Sequence, residues 1–185
     1  MVIRKQKQAK PPLIHQRWPA LAVALVVPLI AALIGGLATS QSVATWYPFL
    51  KKPRWNPPSW LFAPVWNLLF LLMGVASWLV WQKGTSTRNP GASPHPAMDQ
   101  QTKQALASYG IQLSLNALWA VLFFGLRRID LALVEVVALW GAILVTLRQF
   151  YQVRPVAAWL LIPYQLWVTF AAILNARIWQ LNRKK

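Results

Sequence analysis

The chain has 185 residues, 57% hydrophobic and 12% charged, with 12 Trp, 14 Pro and no Cys. The charged share is about half the usual ~25%, too little to coat a soluble domain, and the missing cysteines exclude disulfide scaffolds, thiol catalysis and thiolate metal sites. Nineteen Lys and Arg against three acids give a net charge of +16, yet none of these charges falls between Arg17 and Lys51, Arg54 and Lys83, Lys103 and Arg127, or Arg154 and Arg177. Cations that flank apolar runs meet lipid phosphates, so the partner this charge implies is the bilayer and not nucleic acid.

Residues 1–18 form a basic tail carrying Arg4, Lys5, Lys7, Lys10 and Arg17. The apolar run after it is longer than the ~7–15 residues of a signal-peptide core, so a retained helix is expected. A helix crossing about 30 Å of hydrocarbon needs roughly 20 apolar residues. The runs that qualify are Pro19–Thr39, Ser59–Trp81, Gln104–Leu126, Leu131–Leu147 and Pro155–Ala176. None alternates polar and apolar residues as a lipid-facing barrel strand would. The expectation is an all-α membrane protein: one five-helix domain over 19–182, closed by a basic 183–185 tail.

The first two spans are joined by 40–58, where Trp46, Tyr47, Phe49, Leu50 and Trp55 are too apolar for a free loop and Pro48, Pro53, Pro57 and Pro58 forbid one helix. This reads as a structured lid over the bundle's mouth, or as an interfacial anchor with its rings at headgroup depth. Residues 83–103 are rich in Gly, Pro and Ser and read as a flexible linker. Five spans put the chain ends on opposite faces, with ten cations on one side and nine on the other, so the positive-inside rule leaves orientation open.

Most tryptophans fall near span ends, where an interfacial belt accounts for them, but Trp66, Trp119, Trp140 and Trp167 lie deep inside four different spans. At 100° per residue, Tyr109, Gln112, Asn116, Trp119 and Phe123 share one face of the third span. Phe62, Trp66, Phe70, Met73 and Ser77 share a face of the second; Trp159, Pro163, Trp167, Phe170 and Leu174 share one of the fifth, with Ala171 at its edge. Amides are costly in lipid, so Gln112 and Asn116 must turn inward. Interhelical hydrogen bonding would satisfy them. So would a pocket with π-faces for a flat ligand, and bulky indoles converging from several helices are hard to pack without leaving a hollow.

On the first span, Ala31/Gly35 and Ala32/Gly36 are small-xxx-small pairs suited to internal packing or to a homodimer. Catalytic groups are scarce. His15 is in the tail and His95 in the linker, so no histidine cluster offers metal binding or general-base work. Asp130 is expected to cap the fourth span, and Glu135, one turn in, to snorkel or pair with Arg127 or Arg128. No nucleophile–base pair or phosphate loop is present, which excludes a hydrolase or NTPase.

Several blocks in order carry a resemblance: Trp46-Tyr47-x2-Leu50-x2-Pro53-x-Trp55-x-Pro57-Pro58, then Pro64-Val65-Trp66; Gln112-Leu113-x-Leu115-Asn116 and Phe123-Phe124-Gly125; and Pro163-Tyr164-x2-Trp167-x2-Phe170-Ala171-x2-Leu174-Asn175. Over about residues 19–182 the chain resembles the TspO/MBR family of tryptophan-rich sensory proteins. The resemblance implies a five-helix bundle, often dimeric, whose first loop closes a pocket. It implies porphyrin, haem-pathway tetrapyrrole or sterol ligands, with no tightly bound cofactor. It places the pocket at Trp46, Trp55, Trp66, Asn116, Phe123, Trp167 and Ala171; depth and face add Gln112, Trp119 and Trp140. Trp66 and Trp167 match an indole pair associated with porphyrin chemistry, and some bacterial members are reported to promote light-dependent protoporphyrin breakdown. The sterol motif of the animal members has a Tyr and an Arg where this chain has Ala176 and Gln180. The expected function is a membrane receptor or sensor for a tetrapyrrole, with Lys51, Lys52 or Arg54 meeting its propionates. The rivals are a tetrapyrrole or sterol transporter, a light-dependent porphyrin-degrading enzyme and an assembly scaffold. The expected location is a bacterial inner membrane, since the tail lacks the Ser-rich character of a transit peptide, with an organelle membrane as the alternative.

Overall fold

The computed structural model describes residues 17–86 and 98–183. These form five long helices: α1 (Arg17–Thr45), α2 (Phe62–Ser86), α3 (Gln100–Ala120), α4 (Ile129–Val153) and α5 (Pro155–Asn182). Each lies in a span long and apolar enough to cross a bilayer, so the chain is a multi-pass membrane protein. The helices overrun the expected spans because polar residues at headgroup depth continue the backbone hydrogen bonding beyond the hydrocarbon. Residues 83–86 and 100–103 accordingly belong to α2 and α3 and not to the linker. The rest of the linker with His95, the N-terminal tail with His15, and Lys184 and Lys185 lie outside the described residues.

The helices pack in the ring order α1–α2–α5–α4–α3, closing back on α1, with α2 also touching α3 across the middle. Glycine permits two of the close approaches. A Cβ on Gly74 of α2 would meet the Ala24 carbonyl oxygen of α1 at 2.9 Å, and one on Gly35 would meet Cβ of Ala120 at 3.3 Å. Thus Pro28, Ala31, Gly35 and Ser42 lie along the inner stripe of α1, while Val26, Leu29, Ile30, Leu33 and Leu37 face lipid. Gly36 looks outward, with open space where its Cβ would be. Of the two small-residue pairs, the Ala31/Gly35 pair therefore serves the bundle's own packing.

Polar groups staple the far end. Asp99 is the N-cap of α3: its Oδ1 accepts from the Thr102 amide at 2.8 Å and its Oδ2 from the Thr102 hydroxyl at 2.9 Å. The amide bond holds the exposed Asp99 carboxyl below its ordinary range. Asp130, by contrast, does not cap α4, whose N-cap position is Arg128. It occupies the first turn and takes both Arg128 Nε (2.9 Å) and Nη2 (2.8 Å). With Arg128 thus engaged, Glu135 has neither expected partner. It lies on the inward stripe Ala132–Glu135–Val136–Leu139–Ile143 of α4, 8% exposed, with both carboxylate oxygens unpartnered among the described residues.

Candidate functional site

One end of the bundle gathers the C-termini of α1, α3 and α5 and the N-termini of α2 and α4, and residues 46–61 fold over it. Prolines break that segment into two single 3₁₀ turns, Tyr47–Phe49 and Ser59–Leu61. Lys52 organises the first: its Nζ donates to the carbonyls of Tyr47 (2.7 Å), Pro48 (3.1 Å) and Leu50 (3.1 Å) and lies 4.7 Å from the Tyr47 ring centre. Partial burial lowers the Lys52 pKa and raises that of the Tyr47 hydroxyl. That hydroxyl donates to Asn56 Oδ1 at 2.8 Å. The Lys51 amide donates to Asn182 Oδ1 at 3.0 Å, and Asn182 Nδ2 donates back to the Lys51 carbonyl at 2.9 Å. This pair of bonds latches the segment to the end of α5. The segment is folded onto the bundle end, as the lid reading expects, while Phe49 and Trp60 are 84% and 72% exposed, as the anchor reading expects.

Opposite the lid, α3 widens into a π-helical turn at Val121–Gly125. The Ser42 hydroxyl of α1 donates to the Phe124 carbonyl at 2.6 Å, holding the turn against α1. The chain then passes through Arg127, whose φ of 56° is the one positive value among the described non-glycine residues.

Beneath the lid is an apolar cavity of about 30 Å³. Tyr47 comes from the lid, Phe62 from α2, Trp119 from α3, and Phe123 and Phe124 from the π turn. The remaining wall is α5: Trp167, Phe170, Ala171, Leu174, Asn175 and Ile178. Helical spacing pairs the rings, with Trp119 stacked on Phe123 (centroids 5.3 Å) and Trp167 beside Phe170 (5.5 Å). Asn175 fixes the wall: its Oδ1 accepts from Trp119 Nε1 at 3.3 Å and its Nδ2 donates to the Ile129 carbonyl at 3.1 Å.

The ten expected site residues sort by depth. Trp119, Phe123, Trp167 and Ala171 line the cavity. Trp46 and Trp55 are lid residues, each with its ring centre 5.8 Å from a lining ring, on Phe123 and Phe170 respectively. Trp66, Gln112 and Asn116 lie outside the lining. Trp66 stacks on Phe70 at 5.5 Å and meets Tyr164 edge-on at 6.3 Å; Asn116 Nδ2 donates to the Tyr164 hydroxyl at 3.0 Å; Gln112 Nε2 reaches Met73 Sδ at 3.9 Å. The two amides therefore make the interhelical contacts that their alternative reading required, though Gln112 Oε1 has no partner among the described residues.

Trp140 is a correction. It is 38% exposed on the outer surface, its Nε1 donating to Thr169 Oγ1 at 2.9 Å, beside a shallow groove formed with Val137, Ala172 and Ile173. Depth in a span fixes distance from the headgroups and says nothing about which side of the helix a ring occupies. Lys52 is a second correction, because its donors are spent on the lid. So is the expected hollow: about 30 Å³ admits a water or two, against the ~300–1,000 Å³ of ordinary ligand sites. The inward rings fill one another's space. Missed residues are Tyr47, Phe62, Phe124, Phe170, Leu174, Asn175 and Ile178. Phe62, Phe170 and Leu174 were on the stripes already drawn, whereas Phe124 enters because a π turn advances its ring direction less per residue than an α-helix does.

A ring of five spanning helices with an aromatic cavity under a proline-broken segment defines a polytopic helical membrane protein. The TspO/MBR family model matches residues 24–180, and the chain belongs to that family. It is 36% identical over 165 residues to the translocator protein of Bos taurus, covering 89% of this chain and 90% of that one. It is likewise 36% identical over 162 residues to the tryptophan-rich protein TspO of Archaeoglobus fulgidus (88% and 96%). Over 137 residues it is 36% identical to the tryptophan-rich sensory protein of Cereibacter sphaeroides (74% and 77%).

Proposed function

We propose that the protein is a receptor or sensor in a bacterial inner membrane that takes a porphyrin or related tetrapyrrole between the lid and the α3–α5 wall. The observation that supports this reading is the convergence of Tyr47, Phe62, Trp119, Phe123, Trp167 and Phe170 on one chamber with almost no polar surface except Asn175. Edges and faces of these rings suit a flat aromatic guest. Because the chamber holds only about 30 Å³, a guest of this size needs the lid to lift and the Trp119–Phe123 and Trp167–Phe170 pairs to part. The lid's ties to the end of α5 include two exposed hydrogen bonds between Asn182 and the Lys51 backbone, so its opening costs little beside unfolding a spanning helix.

The test is a protoporphyrin titration of the full chain in lipid nanodiscs, read by tryptophan fluorescence. Saturable quenching is expected, weakened at least tenfold in Trp167→Ala with Trp119→Ala and unchanged in Trp140→Phe. A Lys51→Cys, Asn182→Cys pair, in a chain with no other cysteine, is expected to abolish binding when oxidised and restore it when reduced. Equal quenching in all of these proteins would overturn the reading.

A further inference from the structure

We infer that Arg127 is the carboxylate-recognition residue at the mouth of the chamber, selecting guests with an anionic edge. The inference rests on the tetrapyrrole reading above. The guanidinium carbon of Arg127 lies 5.9 Å from the centre of the Trp46 ring, and Trp46 in turn packs edge-on against Phe123 of the chamber wall at 5.8 Å. An unbroken contact path thus runs from this cation through one lid ring to the cavity.

The neighbouring cations are differently placed: Lys51 and Arg54 are exposed on the lid, and neither has a ring contact among the described residues. Arg128 presents its fork to Asp130, and Lys52 is spent on three lid carbonyls. Arg127 is exposed and has no hydrogen-bond or ion-pair partner among the described residues, and its guanidinium, near the outer limit of cation–π range from the indole, keeps its N–H donors unspent. A planar fork held over an aromatic face matches a carboxylate bidentately.

The backbone reinforces this placement. Arg127 adopts left-handed geometry, φ 56°, which a branched or long side chain adopts at a cost and which glycine would adopt freely. The turn around it is fixed by the Leu126 amide bonding the Val121 carbonyl (2.8 Å) and the Arg128 amide bonding the Leu122 carbonyl (2.9 Å). An arginine held in the conformation that suits glycine, with its charge over the lid, is strain kept at a site where the side chain is used. The guest class that follows is a flat aromatic ring system bearing carboxylates at one edge, seated with the apolar edge inward and the acids at the headgroup level beside Arg127.

Protoporphyrin and its dimethyl ester separate the contributions, because the ester keeps the macrocycle and loses the charge. Both are titrated against the full chain in phosphatidylcholine nanodiscs. The parent protein is expected to prefer the diacid. In Arg127→Gln the diacid should weaken about tenfold, one charge-assisted contact's worth, while the ester changes less than twofold. Arg127→Gly, which relaxes the left-handed backbone and so guards against misfolding, should behave alike, and Arg127→Lys should keep part of the preference. An unchanged diacid-to-ester ratio in both the Gln and Gly variants overturns the inference, as does equal weakening of both ligands, which would make Arg127 a lid-packing residue. An effect seen only when phosphatidylglycerol is added overturns it in favour of a lipid phosphate. If neither ligand binds the parent protein, the tetrapyrrole reading itself fails; diacid binding without dependence on Arg127 fails the inference alone.

Discussion

Asn182→Ala removes the latch between lid and bundle, and its consequence can be worked from the structure. The side chain makes three hydrogen bonds: from the Lys51 amide (3.0 Å), to the Lys51 carbonyl (2.9 Å) and to the Ile178 carbonyl (2.8 Å). Only the first two cross to the lid, and both are exposed. A net hydrogen bond is worth about 0.5–1.5 kcal/mol, and exposure favours the lower end, so together they hold the lid by about 1–2 kcal/mol. Because the closed chamber is too small for a guest, association proceeds through the open fraction and its rate scales with that fraction. Relaxing the latch by this amount therefore raises the open fraction and the association rate about 5- to 30-fold. Affinity moves much less if the lid closes again over the guest, since the dissociation rate then rises in parallel. Stopped-flow quenching of tryptophan by protoporphyrin measures the rates, and hydrogen exchange across 50–56 measures lid opening. Faster exchange in the lid with an association rate unchanged within twofold would refute the chain of reasoning, because the guest would then enter by another route.

Four further outcomes test the frame around the site. Gly74→Ala drives a methyl to 2.9 Å from the Ala24 carbonyl oxygen and from Leu25 Cδ2, and should cost about 1–3 kcal/mol in thermal or SDS unfolding. Gly36→Ala, where nothing lies within 4 Å, should cost nothing measurable. Trp140→Phe loses a lipid-side hydrogen bond to Thr169 and should lower stability by up to about 1 kcal/mol with no change in ligand affinity. Asp99→Ala removes the α3 cap and should cost about 1 kcal/mol at neutral pH. The Asp99 carboxyl titrates lower folded than unfolded, so its contribution is present above the unfolded pKa and disappears as pH falls through the folded one. The parent-to-variant gap should therefore close in acid.

The fold was legible because a bilayer imposes a length and a hydropathy on every crossing element, and those two properties need no partner to be read. The five spans were found this way, and their ends were misjudged where helices continue into the headgroup region on polar residues such as Gln100 and Asn182. The inward faces of α2 and α3 were equally legible, since Met73, Ser77, Gln112 and Asn116 could not all be put into lipid, and each is buried. The stripe on α5 was read less well. Trp159 and Pro163 are exposed, and the buried line runs instead through Ala157, Leu161, Tyr164, Val168 and Asn175. In an apolar helix surrounded by lipid, Trp and Ala carry no sign of the side they face, so only the polar members of a stripe fix its direction.

The same asymmetry explains the site. Polar side chains announce a destination, and the rings do not: Trp119 and Trp140 both lie inside their spans, yet one donates inward to Asn175 and the other outward to Thr169. The lid's aromatic residues were recognisable because prolines denied them a helix, whereas its latch was not, since Asn182 reaches Lys51 across 131 residues of chain. Glu135 marks the limit of the rule. A carboxyl on an inward stripe with no partner is costly in a low-dielectric core, and proximity in sequence suggested Arg127 and Arg128 as its counter-ions. One cation is forked on Asp130 and the other stands over Trp46, so the charge balance of this end of the bundle is set by the turn at Arg127 and not by sequence spacing. Where the chain leaves the helix in a left-handed conformation, a single backbone torsion sends that guanidinium to the lid and leaves the acid alone.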